Sequence, residues 1–408
     1  MSEGAASYAG VRFDMTRGPF QMYGASPWYA TIGIGTPPQP IKFALDSGTN
    51  IVWSTSTLCG PTGCQHYGGS QFNYSASTSF RFIDRTRRKY GFGPWGDMWV
   101  ETGADVLRTP DGRTSPVQFY LSAQYSGAQF NSIDWDGGIG IPSGTAYVQP
   151  GNSFIVQDMM NSGAISPGSP FVSFSWDQSS KVGNCIIGGY DPDAFDPAGG
   201  IFVPWAEYTK FEGVGYIWTT PMQSYAVGDK VLAQATSATP YWFSLDSGSS
   251  QFKGDDDLMN ETLALVGPSA SGPPVIIKLG QPGAPSIGTL TVTPPMYNAV
   301  IQTGPGKGAL ISQFQPLGLP GLALVGSTLM DWCYTIFEYA VSGSPGRYTL
   351  APRGMWIFNK KNGPKVVSAG ATEQWDGAPR PVLEMVGEPP VPQATPIVRP
   401  GRPLPQQS

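Results

Sequence analysis

The chain has 408 residues, of which glycine (53) and proline (40) make up nearly a quarter. That length allows two or three domains of roughly 100–200 residues each, and such dense punctuation excludes long helices and coiled coils. With 13% charged, 40% apolar and 12% aromatic residues and a net charge of −5, it is a folded chain with no electrostatic footprint for nucleic acid.

From the N-terminus, WYATIGIG (28–35), IKFAL (41–45) and NIVWS (50–54) are rich in β-branched and aromatic residues and predict short strands. CGPTGC follows, and Cys59 and Cys64 are close enough in sequence to bridge in an oxidising compartment. The strongest helix pattern is SFIVQDMMNSG (153–163), with Gly163 placed to end it. The second half predicts strands in GYIWTTPM (215–222), YWFSL (241–245), PVIIKL (274–279), TLTVTP (289–294) and YTIFEYAV (334–341). The fold class expected is all-β, with few short helices. The last segment, 381–408, is Pro-rich and reads as an extended, disordered tail.

The rare residues exclude further chemistry. There is one histidine, His66, so a histidine-dependent triad or relay has a single residue to run through. It is expected as an exposed loop residue. Cys185 and Cys333 stand in apolar strand contexts and are expected as buried thiols. The cysteine spacing fits no four-cysteine zinc site, so neither metal nor other cofactor is expected. No apolar run reaches the roughly 18 residues of a membrane span, so no membrane association is expected. MSEGAASYAG lacks the plan of a secretory signal, which points to a cytoplasmic protein, although an exported one with its signal removed would read the same. NYS at Asn73 and NET at Asn260 fit the glycosylation sequon and matter only in a eukaryotic secretory protein.

An internal repeat sets the architecture. FALDSGTN begins at Phe43, and FSLDSGSS begins at Phe243, 200 residues later. A weaker echo follows each, Gly138-Ile139-Gly140 and Leu324-Val325-Gly326. Two lobes are expected, 1–195 and 196–380, each carrying one carboxylate at the end of an apolar strand. The turn Asp-Ser-Gly points Asp46 or Asp246 out of the strand end, and Gly48 and Gly248 let a second backbone approach. Thr49 and Ser249 are placed to donate hydrogen bonds to the carboxylates. If the lobes meet about a pseudo-twofold axis, the two carboxylates face each other and share one proton. The ionised one then serves as base for a water, and the protonated one polarises a carbonyl.

At these residues the chain resembles the pepsin-like aspartic peptidases, from about Tyr29 to Pro352. TIGIGTPPQPIKFALDSGTNIVW and FSLDSGSS match the two catalytic segments, with Asp46 and Asp246 as the catalytic pair. The resemblance implies a bilobal fold with a cleft between two duplicated β lobes. It makes Tyr90, in KYGFG, the tyrosine at the tip of a substrate-covering flap, and Trp53 its support. Gly48, Thr49, Gly91, Gly248, Ser249 and Ser250 would line the substrate site, with Ser47 and Ser247 supporting. CGPTGC matches the family's small disulfide loop, and WDGGIGIP and LALVGS match the two elements that cross behind the aspartates. The activity implied is endopeptidic hydrolysis of polypeptide substrates by a monomer, at acid pH, with bulky apolar residues beside the scissile bond and inhibition by peptidomimetics such as pepstatin.

The chain also departs from the family. DSGTN is one residue short, Gly138 replaces a large apolar residue, and Ser327 stands where an aspartate is common. Lys253 occupies a position usually held by a small hydroxyl residue, and reads either as a solvated strand-end lysine or as the lining of a subsite. The run Arg85, Arg87, Arg88 and Lys89 reads as a solvated hairpin face. With a first strand near Tyr29 there is no room for a full basic prosegment, so no activating cleavage is expected. The rival reading is a pepsin-fold protein that only binds; retention of Asp46, Asp246 and Tyr90 argues against it. A carboxylate-pair glycosidase would not need matching sequence contexts for its two acids.

Overall fold

The computed structural model describes residues 10–22, 25–92 and 96–384. Strands hold 44% of the residues and helices 11%, in keeping with the all-β expectation. No described helix is long and apolar enough to cross a membrane.

The first strand lies earlier than the sequence suggested. In β1 (Val11–Arg17) burial alternates residue by residue, with Val11, Phe13 and Met15 turned inward. β2 (Trp28–Ile34) and β3 (Gln39–Asp46) form an antiparallel pair, and β4 (Val52–Thr55) follows the turn after Asp46. β5 (Arg81–Gly91), β6 (Asp97–Arg108) and β7 (Thr114–Tyr125) are a long antiparallel meander. β8 (Gly137–Gly140) slots between β3 and β4, parallel to β3 with Asp46 opposite Gly140, and antiparallel to β4. α1 (Ile155–Asn161) lies within the predicted helical stretch and buries Ile155, Val156, Met159 and Met160. β9 (Phe171–Asp177), β10 (Val182–Ile187) and β11 (Phe195–Pro204) complete the first half.

The second half repeats the plan. β12 (Thr219–Val227) pairs with β13 (Lys230–Gln234) and β14 (Tyr241–Leu245). β15 (Phe252–Gly254) follows the turn after Asp246, and leads into α2 (Asp256–Val266), a helix not expected from the sequence. Its start has a local cause: the Asp255 carboxylate accepts the Leu258 amide at 3.0 Å, and Asp256 and Asp257 sit at the positive end of the helix. β16 (Val275–Leu279) and β17 (Gly288–Val292) are antiparallel. The short α3 (Pro294–Tyr297) precedes the small pair β18 (Asn298–Val300) and β19 (Leu310–Ser312). β20 (Phe314–Pro316) and β21 (Leu322–Val325) flank β15, and β21 also runs parallel to β14. The triplet β14, β21, β15 thus repeats β3, β8, β4. After α4 (Ser327–Met330) come β22 (Cys333–Ser342), β23 (Thr349–Lys360), β24 (Val367–Ala369) and β25 (Val382–Leu383).

The lobes are joined by hydrogen bonds. One sheet runs β11-β23-β22-β9-β10-β1-β2-β3 and on into the first lobe, so strands from both halves form its floor; a second runs β20-β15-β21-β14-β12-β16-β17-β24. The expected boundary at 195 falls at the first residue of β11, inside the shared layer. The segment expected to be tail from 381 starts as strand, with Val382 and Leu383 parallel to β22. The rest of it, 385–408, lies outside the described residues. One core of buried residues, from Val11 and Phe43 to Phe243 and Ile357, runs through both halves.

Candidate active site

Both Asp-Ser-Gly turns sit where an apolar strand ends at the junction of the halves. Asp46 and Asp246 are 7% and 8% exposed. The Gly48 amide donates to Asp46 Oδ1 at 2.7 Å, and the Gly248 amide to Asp246 Oδ1 at 3.0 Å. The serines are exchanged between halves: Ser47 Oγ donates to the Leu245 carbonyl at 3.1 Å and Ser247 Oγ to the Leu45 carbonyl at 2.6 Å. Each serine oxygen also accepts the amide of the other serine, at 2.9 and 3.0 Å. This network fixes the carboxylates face to face.

Glycine is required here for a reason other than the expected backbone approach. A Cβ on Gly48 would lie 2.3 Å from Asp246 Oδ1, and one on Gly248 would lie 2.3 Å from Asp46 Cγ. Each glycine makes room for the opposite carboxylate. Burial pushes the Asp46 carboxyl well above the usual carboxylate range, and the neighbouring charge of Asp246 adds to it; the Gly48 and Gly248 amides oppose the shift. The two carboxyls lie in hydrogen-bonding contact, a pairing that one proton between them would complete.

The hydroxyls beside the pair differ. Ser249 Oγ donates to Asp246 Oδ2 at 2.6 Å, as expected. The Thr49 side chain instead hydrogen-bonds Tyr90, which corrects the expectation that it would serve Asp46. Tyr90 lies near the end of β5, with residues 93–95 outside the described set. Its hydroxyl donates to Asn50 Oδ1 at 3.0 Å, and burial holds the phenol neutral, well above its ordinary pKa. Trp53 reaches Tyr90 through Phe92, whose ring is 5.4 Å from both. Among the described residues, the Trp53 indole nitrogen has no hydrogen-bond partner. The same nitrogen would lie 2.6 Å from a Cβ on Gly138, which explains the small residue there.

Of the residues singled out in the sequence, the cleft brings together Asp46, Gly48, Thr49, Tyr90, Gly91, Asp246, Gly248 and Ser249. Ser250 is buried away from that lining, with its carbonyl accepting the Thr328 amide at 3.0 Å. Lys253 is not a solvated lysine: it is 3% exposed and lines the cleft. Sequence reasoning missed Phe92, Val214, Tyr216, Ile217, Leu317 and Leu319, which form the apolar walls. The apolar run around Leu317 and Leu319 was a readable signal, but nothing in it said which lobe face it would cover.

Outside the cleft, Arg85 and Arg87 pair with Glu101, Arg88 with Asp84 and Lys89 with Asp97, all with exposed cationic heads, as expected of a solvated hairpin. His66 is not an exposed loop residue; its side chain is 2% exposed, with Nε2 2.8 Å from Asp136 Oδ1 and Nδ1 3.0 Å from the Cys64 carbonyl. Cys59 and Cys64 form a disulfide, while Cys185 and Cys333 are buried free thiols.

Comparison with known proteins agrees with this geometry. The family model described as eukaryotic aspartyl protease matches residues 27–342. Among curated proteins, the chain is 29% identical to gastricsin of Callithrix jacchus over 204 residues, 49% of this chain and 48% of that protein. It is 26% identical to pepsin B of Canis lupus familiaris over 216 residues (52% and 51%), and 27% identical to cathepsin E of Cavia porcellus over 208 residues (50% and 49%). The matches span about half the length of these relatives. They overturn the cytoplasmic expectation, because pepsins, gastricsins and cathepsin E are secreted or lysosomal proteases; the Cys59–Cys64 bond, of a kind that persists in oxidising compartments, agrees. With two reciprocally packed Asp-Ser-Gly turns and a family match over most of its length, the chain belongs to the pepsin-like eukaryotic aspartyl protease family.

Proposed function

We propose that this protein is an aspartic endopeptidase in which Asp46 and Asp246 activate a water against a peptide carbonyl, with an acid optimum and sensitivity to pepstatin. The observation that carries the reading is the face-to-face contact of two buried carboxyls at the floor of a cleft, with the Asp46 carboxyl displaced upward by burial and by its partner's charge. The ionised member takes a proton from water, whose oxygen attacks the carbonyl carbon; the protonated member donates to the carbonyl oxygen. The resulting diol collapses when the amide nitrogen is protonated, which breaks the C–N bond and returns the pair to one shared proton.

A substrate lies extended between Tyr90 and Gly91 on the flap side and Gly248 and Ser249 on the other, pairing its main chain with the strand edges. The apolar walls from Phe92, Ile217 and Leu317 favour bulky apolar residues beside the scissile bond. In this reading 1–195 and 196–380 are the two lobes, with 381–408 appended.

The test is cleavage of a peptide library from pH 3 to 7, with and without pepstatin. Acid-favoured cleavage between apolar residues, abolished by pepstatin, is expected. Persistent cleavage with saturating pepstatin at pH 4 would overturn the mechanism; no cleavage at any pH, with pepstatin still raising the melting temperature, would favour a binding protein.

A further inference from the structure

The Asp pair is flanked unequally, and the inequality falls at equivalent positions. Trp53 and Lys253 each stand seven residues after their aspartate. Trp53 lies on β4 opposite Gly138 of β8, and Lys253 lies on β15 opposite Leu324 of β21. The flanking pairs also correspond: Val52 opposite Ile139, and Phe252 opposite Val325. One arm of the duplicated motif therefore brings an indole to its strand, and the other brings an ammonium.

That ammonium is connected to the pair. Lys253 Nζ donates to Ser249 Oγ at 3.4 Å, and Ser249 Oγ donates to Asp246 Oδ2 at 2.6 Å. A hydroxyl that accepts from a cation is a stronger donor to the next acceptor. On the Asp46 side this relay has no equivalent, because the Thr49 side chain bonds Tyr90. Among the described residues lining the cleft, Lys253 is the one cation.

Resting on the peptidase reading above, we propose that Lys253 is a positioning residue that acts through Ser249, holding the single negative charge of the pair on Asp246 and leaving the shared proton on Asp46. Asp246 is then the base for water and Asp46 the acid toward the carbonyl.

The other charged and titratable groups nearby do not compete for this role. Tyr90 lies near Asp46 with Tyr216 as its neighbour in the cleft, and burial keeps the Tyr90 phenol neutral. β20 and β21 place Gln315 and Leu324 beside Lys253 and bring no charge. Asp255, at the start of α2, accepts the Leu258 and Gly321 amides, and Asp256 accepts the Gly318 amide. Burial lowers the Lys253 ammonium to about 8, while Asp246 and Asp46 pull it back up. It is therefore charged throughout the acid range where the pair works. The attraction is mutual, so the cation favours every deprotonated form of the pair. It lowers both apparent pKa values of the pair and moves the active window toward acid.

The experiment compares wild type, Lys253→Met and Lys253→Arg by two readouts. In the pH–rate profile, both limbs of Lys253→Met should move to higher pH by about one unit, within the range for a carboxyl losing a close cation; Lys253→Arg should stay near wild type. Carboxyl ¹³C resonances of aspartate-labelled protein, assigned with Asp46→Asn and Asp246→Asn, should show a neutral Asp46 and an ionised Asp246 at pH 5. The titration of the pair should rise in Lys253→Met by the same unit. Melting curves identify a variant that has failed to fold, in which case Lys253→Gln replaces it. An unmoved titration in folded Lys253→Met, or a proton found on Asp246, overturns the inference. If no peptide is cleaved but the resonances shift as stated, the lysine assignment stands and the peptidase reading falls.

Discussion

Replacing Gly248 by alanine should disable the site while leaving the protein folded. The new Cβ would lie 2.3 Å from Asp46 Cγ and Oδ1 and 2.4 Å from Oδ2, against an ordinary contact near 3.4 Å. The obstacle is a carboxylate, and Asp46 must retreat by about 1 Å from a place set by the Gly48 amide at 2.7 Å. Such a retreat breaks the hydrogen bond to Asp246 and misplaces the reacting proton. A displacement of about 1 Å in a catalytic constellation costs on the order of 100-fold in rate. Overpacking of this kind typically costs about 1–3 kcal/mol of stability, spread over a large shared core. Steady-state cleavage of a peptide substrate at the optimum pH, with a melting curve in parallel, separates the two effects. Catalytic efficiency should fall by roughly two orders of magnitude or more, with cooperative melting retained, and Gly48→Ala should do the same through Asp246. If folded Gly248→Ala keeps activity within fivefold of wild type, the carboxylates are not held face to face as described.

Asp46→Asn and Asp246→Asn should each abolish turnover, and the double variant should be no worse than either, because the two act as one unit; substantial activity in a single variant contradicts the pairing. Stability should increase on acidification. Burial raises Asp158 and Asp331 to about 6, so the folded state binds more protons than the unfolded one between about pH 4 and 6. The advantage is fully present below the unfolded pKa and is lost as pH rises through 6. It amounts to at most about 2–3 kcal/mol per group. The melting temperature at pH 4.5 should exceed that at pH 7, and Asp331→Asn should narrow the gap; an equal gap in the variant refutes the assignment. Alkylation of the denatured, unreduced protein should label Cys185 and Cys333 and spare Cys59 and Cys64, as mass spectrometry would show. Cys59→Ser should then lower stability by about 2 kcal/mol, the loop-closure figure for so short a ring.

The facing pair Asp46 and Asp246 was legible because its pattern is local: a strand, an aspartate and a glycine in one run, repeated. β14 and most of β22 were legible for the same reason, as unbroken β-branched and aromatic runs. What failed was whatever depended on the other half of the chain. Thr49 and Ser249 look interchangeable in sequence, yet one meets Tyr90 and the other Asp246. His66 sits in a glycine-rich loop that reads as exposed, and its burial depends on Asp136, 70 residues away. Lys253 carries no local sign of burial, since its neighbours are supplied by β20 and β21. The long-range register of β1 against β10 likewise could not be deduced from a short alternating run near the start.

The exchanged serines have a consequence for how such a molecule can be assembled. Ser47 contacts Leu245 and Ser247 contacts Leu45, so the same patch on each half meets its own counterpart, as in a twofold homodimer. A half-length chain carrying one copy of the motif would have all it needs to close this contact with a second copy. It would not be able to build this cleft. In a homodimer a tryptophan at one position is a tryptophan at both, and a lysine is likewise doubled; two ammonium groups, or none, would flank the pair. Joining the copies in one polypeptide removes that constraint and makes their encounter intramolecular. The difference between Trp53 and Lys253 is a degree of freedom that only the fused chain possesses.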